Sequence, residues 1–506
     1  MPATDRAPTS TAFVWYALAL AGPALAIGFL IWGGLAFFYA VLVGLAAVPL
    51  ASAARRLFKR GDFAWLIAGL APPTFLWIQY GAGGVEALLD LNEGKPSIFS
   101  YSDVSIVVCG GIAALAALAY VVGFRACYRR EAGDGAAEQA PRSALAMFTL
   151  VLFVIDLVVR LYMIREGSYS KWASDQGAGA GISMFRDSLG AGVVALAAHL
   201  GASGRRRLFW YGLVALDLAF FAGTGSRKFV LLGLIAVVSS LAFTMSADPS
   251  RRQRVRRLFY VGAGALVLFF GIISPIVQEA RYRAMAAAAA GAGASTPRSF
   301  LVDHVPSVLS YDVLYGDESI RLNRGATLDQ RLASMAAVGG AIVTQRLDGA
   351  PLMPLADAAA ALPFLVPSAI IGERRERLQA NNRVIEYYSL GRTTIDAPTT
   401  SMTDIYVYLD VVGVALLFFV VGCGFGALAS VLRRGWGRAV GGILSLVLLY
   451  NTIPLGGSYL DYLVRLRNAA VLVALLVGLF HLCKGAVRGP SLRPGRAPVY
   501  GPVPSR

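Results

Sequence analysis

Apolar runs about as long as a bilayer is thick recur along the chain, separated by short polar stretches. Each run is near the roughly 20 residues that a helix needs to cross a hydrocarbon core of about 30 Å. A backbone in lipid must satisfy its own hydrogen bonds, so runs of this kind are expected to be helices. The pattern predicts twelve spans, at 12–31, 34–54, 63–83, 105–124, 144–163, 182–202, 208–223, 229–246, 259–277, 405–431, 439–456 and 468–484. The first two follow one another almost without a polar break and read as a hairpin about Trp32-Gly33-Gly34, with no cleaved leader. The fold class expected is therefore all-α: a polytopic membrane protein of about a dozen transmembrane helices with one large, mostly helical outer segment.

Composition agrees: 57% of the 506 residues are hydrophobic, 15% are charged and the mean hydropathy is +0.61. A soluble chain carries roughly a quarter charged residues. The net charge of +16 would suit a nucleic-acid partner, but its distribution does not. Basic clusters sit between apolar runs, at Arg55–Arg60, Arg125–Arg130, Arg205–Arg207, Arg251–Arg257, Arg433–Arg438 and from Lys484 into the tail. Each follows an even number of spans, as the positive-inside rule requires when both termini are cytoplasmic. The basicity is a topology signal, and no nucleic-acid partner is expected.

This map divides the chain into a membrane bundle at 1–277 holding about nine spans, an outer segment at 278–404, further spans at 405–484 and a basic Pro/Gly-rich cytoplasmic tail at 485–506. The outer segment is far too long for a simple connector. Within it, 284–295 is Ala/Gly-rich, and 327–347 has helical spacing with Leu328, Leu332, Met335, Val338, Ile342 and Val343 near one stripe. Residues 354–371 are apolar but broken by Pro363 and Pro367, which suits a re-entrant or interfacial element. Should that stretch cross fully, its partner would be 329–345. The four cysteines and three histidines show neither a disulfide framework nor zinc-type spacing, and no metal or other cofactor is expected.

The charged residues of the outer segment are the candidates for chemistry. Between Glu279 and Asp396 stand twelve arginines, no lysine and twelve acids. With only five lysines in the whole chain, arginine bias is one explanation. The other is that guanidinium forks bind phosphate oxygens bidentately. Arg186, Arg227, Arg281, Arg283, Arg465 and Arg467 all fall at predicted outer ends of spans, a ring that suits an anionic lipid headgroup. Inside the spans, Asp156 and Arg160 are four apart and share a helix face, so they are expected to pair. Asp217, alone in its run, is expected to find an arginine on a neighbouring span. Gly223-Thr-Gly-Ser-Arg-Lys228 lacks P-loop spacing, and no nucleophile elbow is present.

The order of features brings a resemblance into view. Gly225-Ser-Arg227 at a span edge, the long outer segment, Leu362-Pro-x-x-x-Pro367 and Thr399-Thr-Ser-Met-Thr-Asp-Ile-Tyr406 follow one another, and then a Gly-rich span runs from Val412-Gly413 to Gly422. Together, over roughly 220–425, they resemble the Wzy-type polymerases of O-antigen and exopolysaccharide repeat units. Asp404 stands where the family commonly has Glu, and Leu409-Asp-Val-Val-Gly413 replaces its usual Phe-Gly pair. The resemblance implies a glycosyltransferase-type enzyme of the bacterial inner membrane. It would join oligosaccharide repeat units carried on undecaprenyl pyrophosphate, without a cofactor and in contact with membrane lipid. It implies Arg227, Arg281, Arg283, Arg346, Arg374 and Arg375 as pyrophosphate contacts, and His304 or Asp404 as the base. A separate chain-length regulator is a partner it leaves open. An O-antigen ligase, which uses the same donor, and a transporter of polysaccharide or lipid carrier remain the alternatives. A transferase with a monophosphate donor fits less well, because its acidic first outer loop has no counterpart in Trp32-Gly33-Gly34.

Overall fold

The computed structural model describes residues 63–92, 99–128, 141–165, 180–203, 206–223, 274–287, 300–308, 328–359, 400–452 and 459–488, with isolated positions at 35–52, 230–241, 264–273 and 384–390. All regular structure among them is helical. The chain forms α1 (Phe63–Leu76), a π-helical turn (Trp77–Ala82), α2 (Gly83–Asn92), α3 (Asp103–Cys127), α4 (Arg142–Arg165), α5 (Ala180–Ser203) and α6 (Arg207–Gly223). There follow α7 (Ser274–Ala287), a π turn (Phe300–His304), a 3₁₀ turn (Pro306–Val308), α8 (Leu328–Leu347), the short α9 (Leu355–Ala359), α10 (Ser401–Thr452) and α11 (Tyr459–Arg488). Four stretches, Asp103–Cys127, Arg142–Arg165, Ser401–Leu428 and Arg467–Val487, are long and apolar enough to cross a bilayer. The chain is a helical membrane protein. The predicted span at 12–31, part of that at 34–54, and much of those at 229–246 and 259–277 lie outside the described residues.

Local chemistry explains where the helices begin and bend. The α3 N-terminus carries a capping box in which Ser102 Oγ accepts from Ser105 N at 3.2 Å and Ser105 Oγ accepts from Ser102 N at 3.1 Å. A second box starts α10: Thr403 N donates to Thr400 Oγ1 at 3.3 Å and Thr400 N to Thr403 Oγ1 at 2.9 Å. Pro72 and Pro73 lie within α1, and the π turn follows directly. A proline removes an N–H from the helical ladder, and the wider turn re-registers the carbonyls downstream.

Packing centres on α3 and α10, which run side by side in the same direction. Small residues let the two backbones touch. A Cβ on Gly123 would meet the Phe419 carbonyl, one on Gly422 the Tyr120 carbonyl, and one on Gly426 the Phe124 carbonyl with Tyr128 N at 3.0 Å. Gly422-Cys-Gly-Phe-Gly426 is thus a small-xxx-small seam of the kind that lets membrane helices approach closely. Farther along, Ser430 Oγ donates to the Cys127 carbonyl at 3.4 Å. Helices α4 and α5 are joined at one end by Arg142, whose Nη2 donates to the Leu200 carbonyl at 3.1 Å. At that same end of α4, the Phe148 ring packs edge-on against Phe480 of α11, with centroids 5.4 Å apart.

Two expectations change. The basic stretch Arg433–Arg438 is expected to separate two spans, yet α10 continues through it as one helix to Thr452. No proline interrupts it, and Gly435 and Gly437 cost only about 1 kcal/mol each in a helix interior. At 1.5 Å per residue the helix is about 78 Å long, far more than a bilayer is thick. The second change concerns α8. A single apolar stripe is expected, but every residue from Met335 to Val343 is buried. This helix of the long inter-span segment is inserted among the π turn, α2, α3 and the start of α10, with Gly339 against Cys109 and Thr403, and Gly340 against Ile106.

Candidate functional site

The C-terminal end of α8 delivers an arginine to an interruption in α10. Helix α8 stops in a Schellman motif: Ala350 N donates to Gln345 O at 2.9 Å and Gly349 N to Arg346 O at 3.2 Å, with Gly349 at φ 91°. The chain then turns into Pro351-Leu352-Met353, which lies along α10 as Met353 N donates to the Val407 carbonyl at 3.1 Å. From the other side Tyr388 Oη donates to Pro351 O at 3.1 Å, and Tyr387 Oη to Leu352 O at 3.2 Å. Burial pushes the Tyr388 phenol up to about 12, with the Arg346 guanidinium pulling the other way, so it is a neutral donor at neutral pH.

At this level α10 is not regular. Asp410 has φ 57°, the only non-glycine residue with positive φ among the described residues. Its Oδ1 accepts from the adjacent Val411 N at 2.7 Å. The two ends of what would be one helical bond, Val407 O and Val411 N, therefore both have other partners. Only glycine fits at 413, because a Cβ there would strike the Leu409 side chain. Arg346 Nη2 meets Asp410 Oδ2 at 3.3 Å, and Nη1 donates to the Ala350 carbonyl. The Arg346 side chain is 17% exposed and Asp410 46%, so the pair sits at the edge of the bundle, reachable from outside it. A guanidinium beside a partly exposed carboxylate can bind an oxyanion and exchange a proton with a hydroxyl.

The sequence-derived candidates distribute unevenly. Asp404 lies in the first turn of α10 at 1% exposure, beneath Tyr80 and α8. It belongs to a buried polar layer that includes Gln79, Tyr80, Thr400, Ser401 and Thr403. Here Tyr80 Oη and Thr400 Oγ1 are hydrogen bonded, Tyr39 Oη donates to the Tyr80 carbonyl, and Gln79 Nε2 donates to Met335 Sδ at 3.3 Å. Within the stretch of the resemblance, Thr400–Asp404 thus starts a helix and locks α8 to it. His304 ends the π turn that packs, with the 3₁₀ turn after it, on α7 through Val277, Ala280, Ala284 and Val308. That docking brings His304 to the helix bearing Arg281 and Arg283, and Arg283 Nε pairs with Glu279 Oε1 at 3.3 Å. Arg227, Arg374 and Arg375 lie outside the described residues, as do the side chains of Arg186, Arg281 and Arg465 and the re-entrant candidate beyond Ala359. No group of acids, cysteines and histidines suited to a metal occurs among the described residues.

Two residues of the arrangement escape the sequence reading. Asp410 lies in an apolar run and looks like part of a span, although the departure of Leu409–Gly413 from the family pattern marks the place. Tyr388 carries no signal of its own. No protein-family model, curated protein or solved structure matches the chain.

Proposed function

We propose that this protein polymerises oligosaccharide repeat units carried on undecaprenyl pyrophosphate, at the outer face of the bacterial inner membrane. In this reading about ten spans precede the basic stretch Arg433–Arg438, the N-terminus lies in the cytoplasm, and the Arg346–Asp410 site lies toward the outer end of α10. The observation that carries it is the placement of Arg346. A helix of the long inter-span segment threads the bundle and presents a guanidinium, paired with a partly exposed carboxylate, where the helical ladder of α10 is interrupted. The resemblance over 220–425 supplies the substrate class. The chemistry demanded is modest: a pyrophosphate leaving group needs cations to take up its developing charge, and the acceptor hydroxyl needs a base. Side chains supply both.

Arg346 Nη1 and Nη2 are held by Ala350 O and Asp410, so a pyrophosphate oxygen would take over Asp410's place on Nη2. Arg281 and Arg283 on α7 and Arg227 are further candidates for the same anion, and a chain-length regulator is a candidate partner. The test uses Arg346→Lys, Arg281→Lys and Arg227→Lys in cells that make the polymer. Lysine keeps the charge and loses the fork. Charged hydrogen bonds are worth about 1.5–3 kcal/mol each, so polymer formation per molecule of protein should fall roughly ten- to a hundredfold for each variant. Single repeat units should still reach the final product while long chains disappear. Loss of single units as well would favour a ligase, and normal chain lengths in all three at normal abundance would defeat the reading.

A further inference from the structure

Asp410 is held in a backbone conformation that an L-residue rarely adopts, inside a helix that needs no such feature to cross a membrane. Strained positions of this kind persist where the surroundings over-determine them, and they concentrate at functional sites. The surroundings do so here. Its Oδ1 takes the Val411 N–H, its Oδ2 meets Arg346, Met353 occupies the Val407 carbonyl, and Gly413 leaves room for Leu409. The arrangement turns a carboxylate out of α10 with 46% of its side chain exposed, next to the guanidinium that the polymerase reading assigns to pyrophosphate. Asp404, six residues earlier on the same helix, is sealed at 1% exposure, and no acceptor sugar reaches it in this arrangement.

We propose that Asp410 is the general base of the transfer, a catalytic residue paired with Arg346; this inference rests on the polymerase reading above. Pyrophosphate oxygens of the donor displace Asp410 from Arg346 Nη2, which frees Oδ2. That oxygen accepts the proton of the acceptor hydroxyl as the hydroxyl oxygen bonds to the donor's anomeric carbon. The bond from that carbon to the pyrophosphate oxygen breaks, and its electron pair leaves with the lipid pyrophosphate. One proton moves, one C–O bond forms and one breaks, with no other reactant. The Arg346–Asp410 pair thus becomes a latch that releases Oδ2 from the guanidinium only when the anion is seated.

The experiment uses the full-length protein in lipid nanodiscs and, as substrate, lipid-linked oligosaccharide extracted from cells that lack it. Asp410→Asn keeps the tolerance for positive φ and an oxygen for Val411 N, and Asp410→Gly relieves the strain while removing the carboxylate. Both should form chains about a hundredfold or more slowly per folded molecule. Asp348→Asn, on the exposed turn after α8, should match the wild type. The wild-type rate should fall on acidification, whereas the residual Asp410→Asn rate should not. Either Asp410 variant working at the wild-type rate, or an Asp410→Asn rate that keeps the wild-type pH profile, overturns the assignment. A wild-type protein that makes no chain from this substrate overturns the polymerase reading itself, and this inference with it.

Discussion

Arg160 shows how much a single side chain can organise in a membrane bundle. Its Nε meets Asp156 Oδ2 at 2.6 Å along α4, its Nη2 meets Asp217 Oδ1 of α6 at 3.5 Å, and all three side chains are sealed. The Phe220 and Phe221 rings lie 4.9 and 5.0 Å from the guanidinium carbon, and Gly190 of α5 leaves space where any Cβ would strike Arg160 Nη2. Arg160→Met would strand two buried carboxylates, and breaking a buried pair costs about 3–5 kcal/mol. Thermal unfolding in detergent should therefore show a large drop for Arg160→Met and a smaller one for Asp217→Asn, which leaves Arg160 its partner on α4. Equal stability of Arg160→Met and wild type would remove the cluster from the architecture. The Asp156–Arg160 half is legible in the sequence, since four-residue spacing puts both on one face. That Asp217 joins it is legible only as a need for some arginine, because which helices become neighbours is set by tertiary packing. Tyr388 is a second case. Its phenol, raised from about 10 in an unfolded chain to about 12 here, favours the folded form while protonated. That contribution is complete below about pH 10 and is lost as pH rises through about 12. Between those limits the wild-type melting temperature should fall more steeply than that of Tyr388→Phe, which has no phenol to ionise. Parallel curves would mean that the Tyr388 phenol is not buried in the folded protein.

Two helices meeting through glycine make a sharper test than most core contacts, because neighbouring glycines of one helix differ in what surrounds them. Gly422 and Gly426 lie against backbone atoms of α3, whereas Gly424 between them has nothing within 4 Å of where a Cβ would stand. Leucine at Gly422 must push α3 away, and overpacking of this sort costs about 1–3 kcal/mol or more. Alanine at Gly424 meets open space and should raise helix stability by about 0.5–1 kcal/mol. Opposite shifts in the detergent melting temperature are expected, and equal shifts would break the α3–α10 seam as drawn. The Gly-rich character of this span is plain in the sequence, as are the apolar cores of α3, α4 and α11, since length and hydropathy alone dictate them. Helix α8 is the element least legible. Its composition of Ala, Gly and scattered polar residues suits an amphipathic surface helix, yet Gly339 and Gly340 let it sink against Cys109 and Ile106 until no face of Met335–Val343 remains outside. The α10 interruption is hidden for a related reason. Its cause is spread over residues that the chain brings together only on folding, among them Arg346, sixty-four positions before Asp410.

At the scale of the whole molecule, charge and packing point to the same polarity. Ser430 reaches Cys127, Arg142 reaches Leu200, and Phe148 meets Phe480, so these contacts join the helix stretches that adjoin the basic clusters at 125–130, 205–207, 433–438 and beyond Lys484. In the proposed topology cytoplasmic loops carry the excess of arginine and lysine, so those stretches lie on the cytoplasmic side. Because α3 and α10 run in parallel, the capped ends at Ser102 and Thr400 then face outward together, and α8, packed on Ile106 and Thr403, enters from that side. Asp348, on the exposed turn that follows α8, should be open to the outer compartment. A single cysteine at Asp348 in a chain whose four native cysteines are replaced should react in intact spheroplasts with a membrane-impermeant maleimide. One at Ala337, buried on α8, should react only after denaturation. Reporter fusions after residues 130 and 206 should report cytoplasm, and fusions near 95 and 172 the outer compartment. Labelling of Asp348→Cys only after the membrane is opened would place the Arg346–Asp410 site on the cytoplasmic face, where no outer-face polymerisation can occur. Rapid labelling of Ala337→Cys in intact cells would instead mean that α8 lies on the surface and that the site it builds does not form.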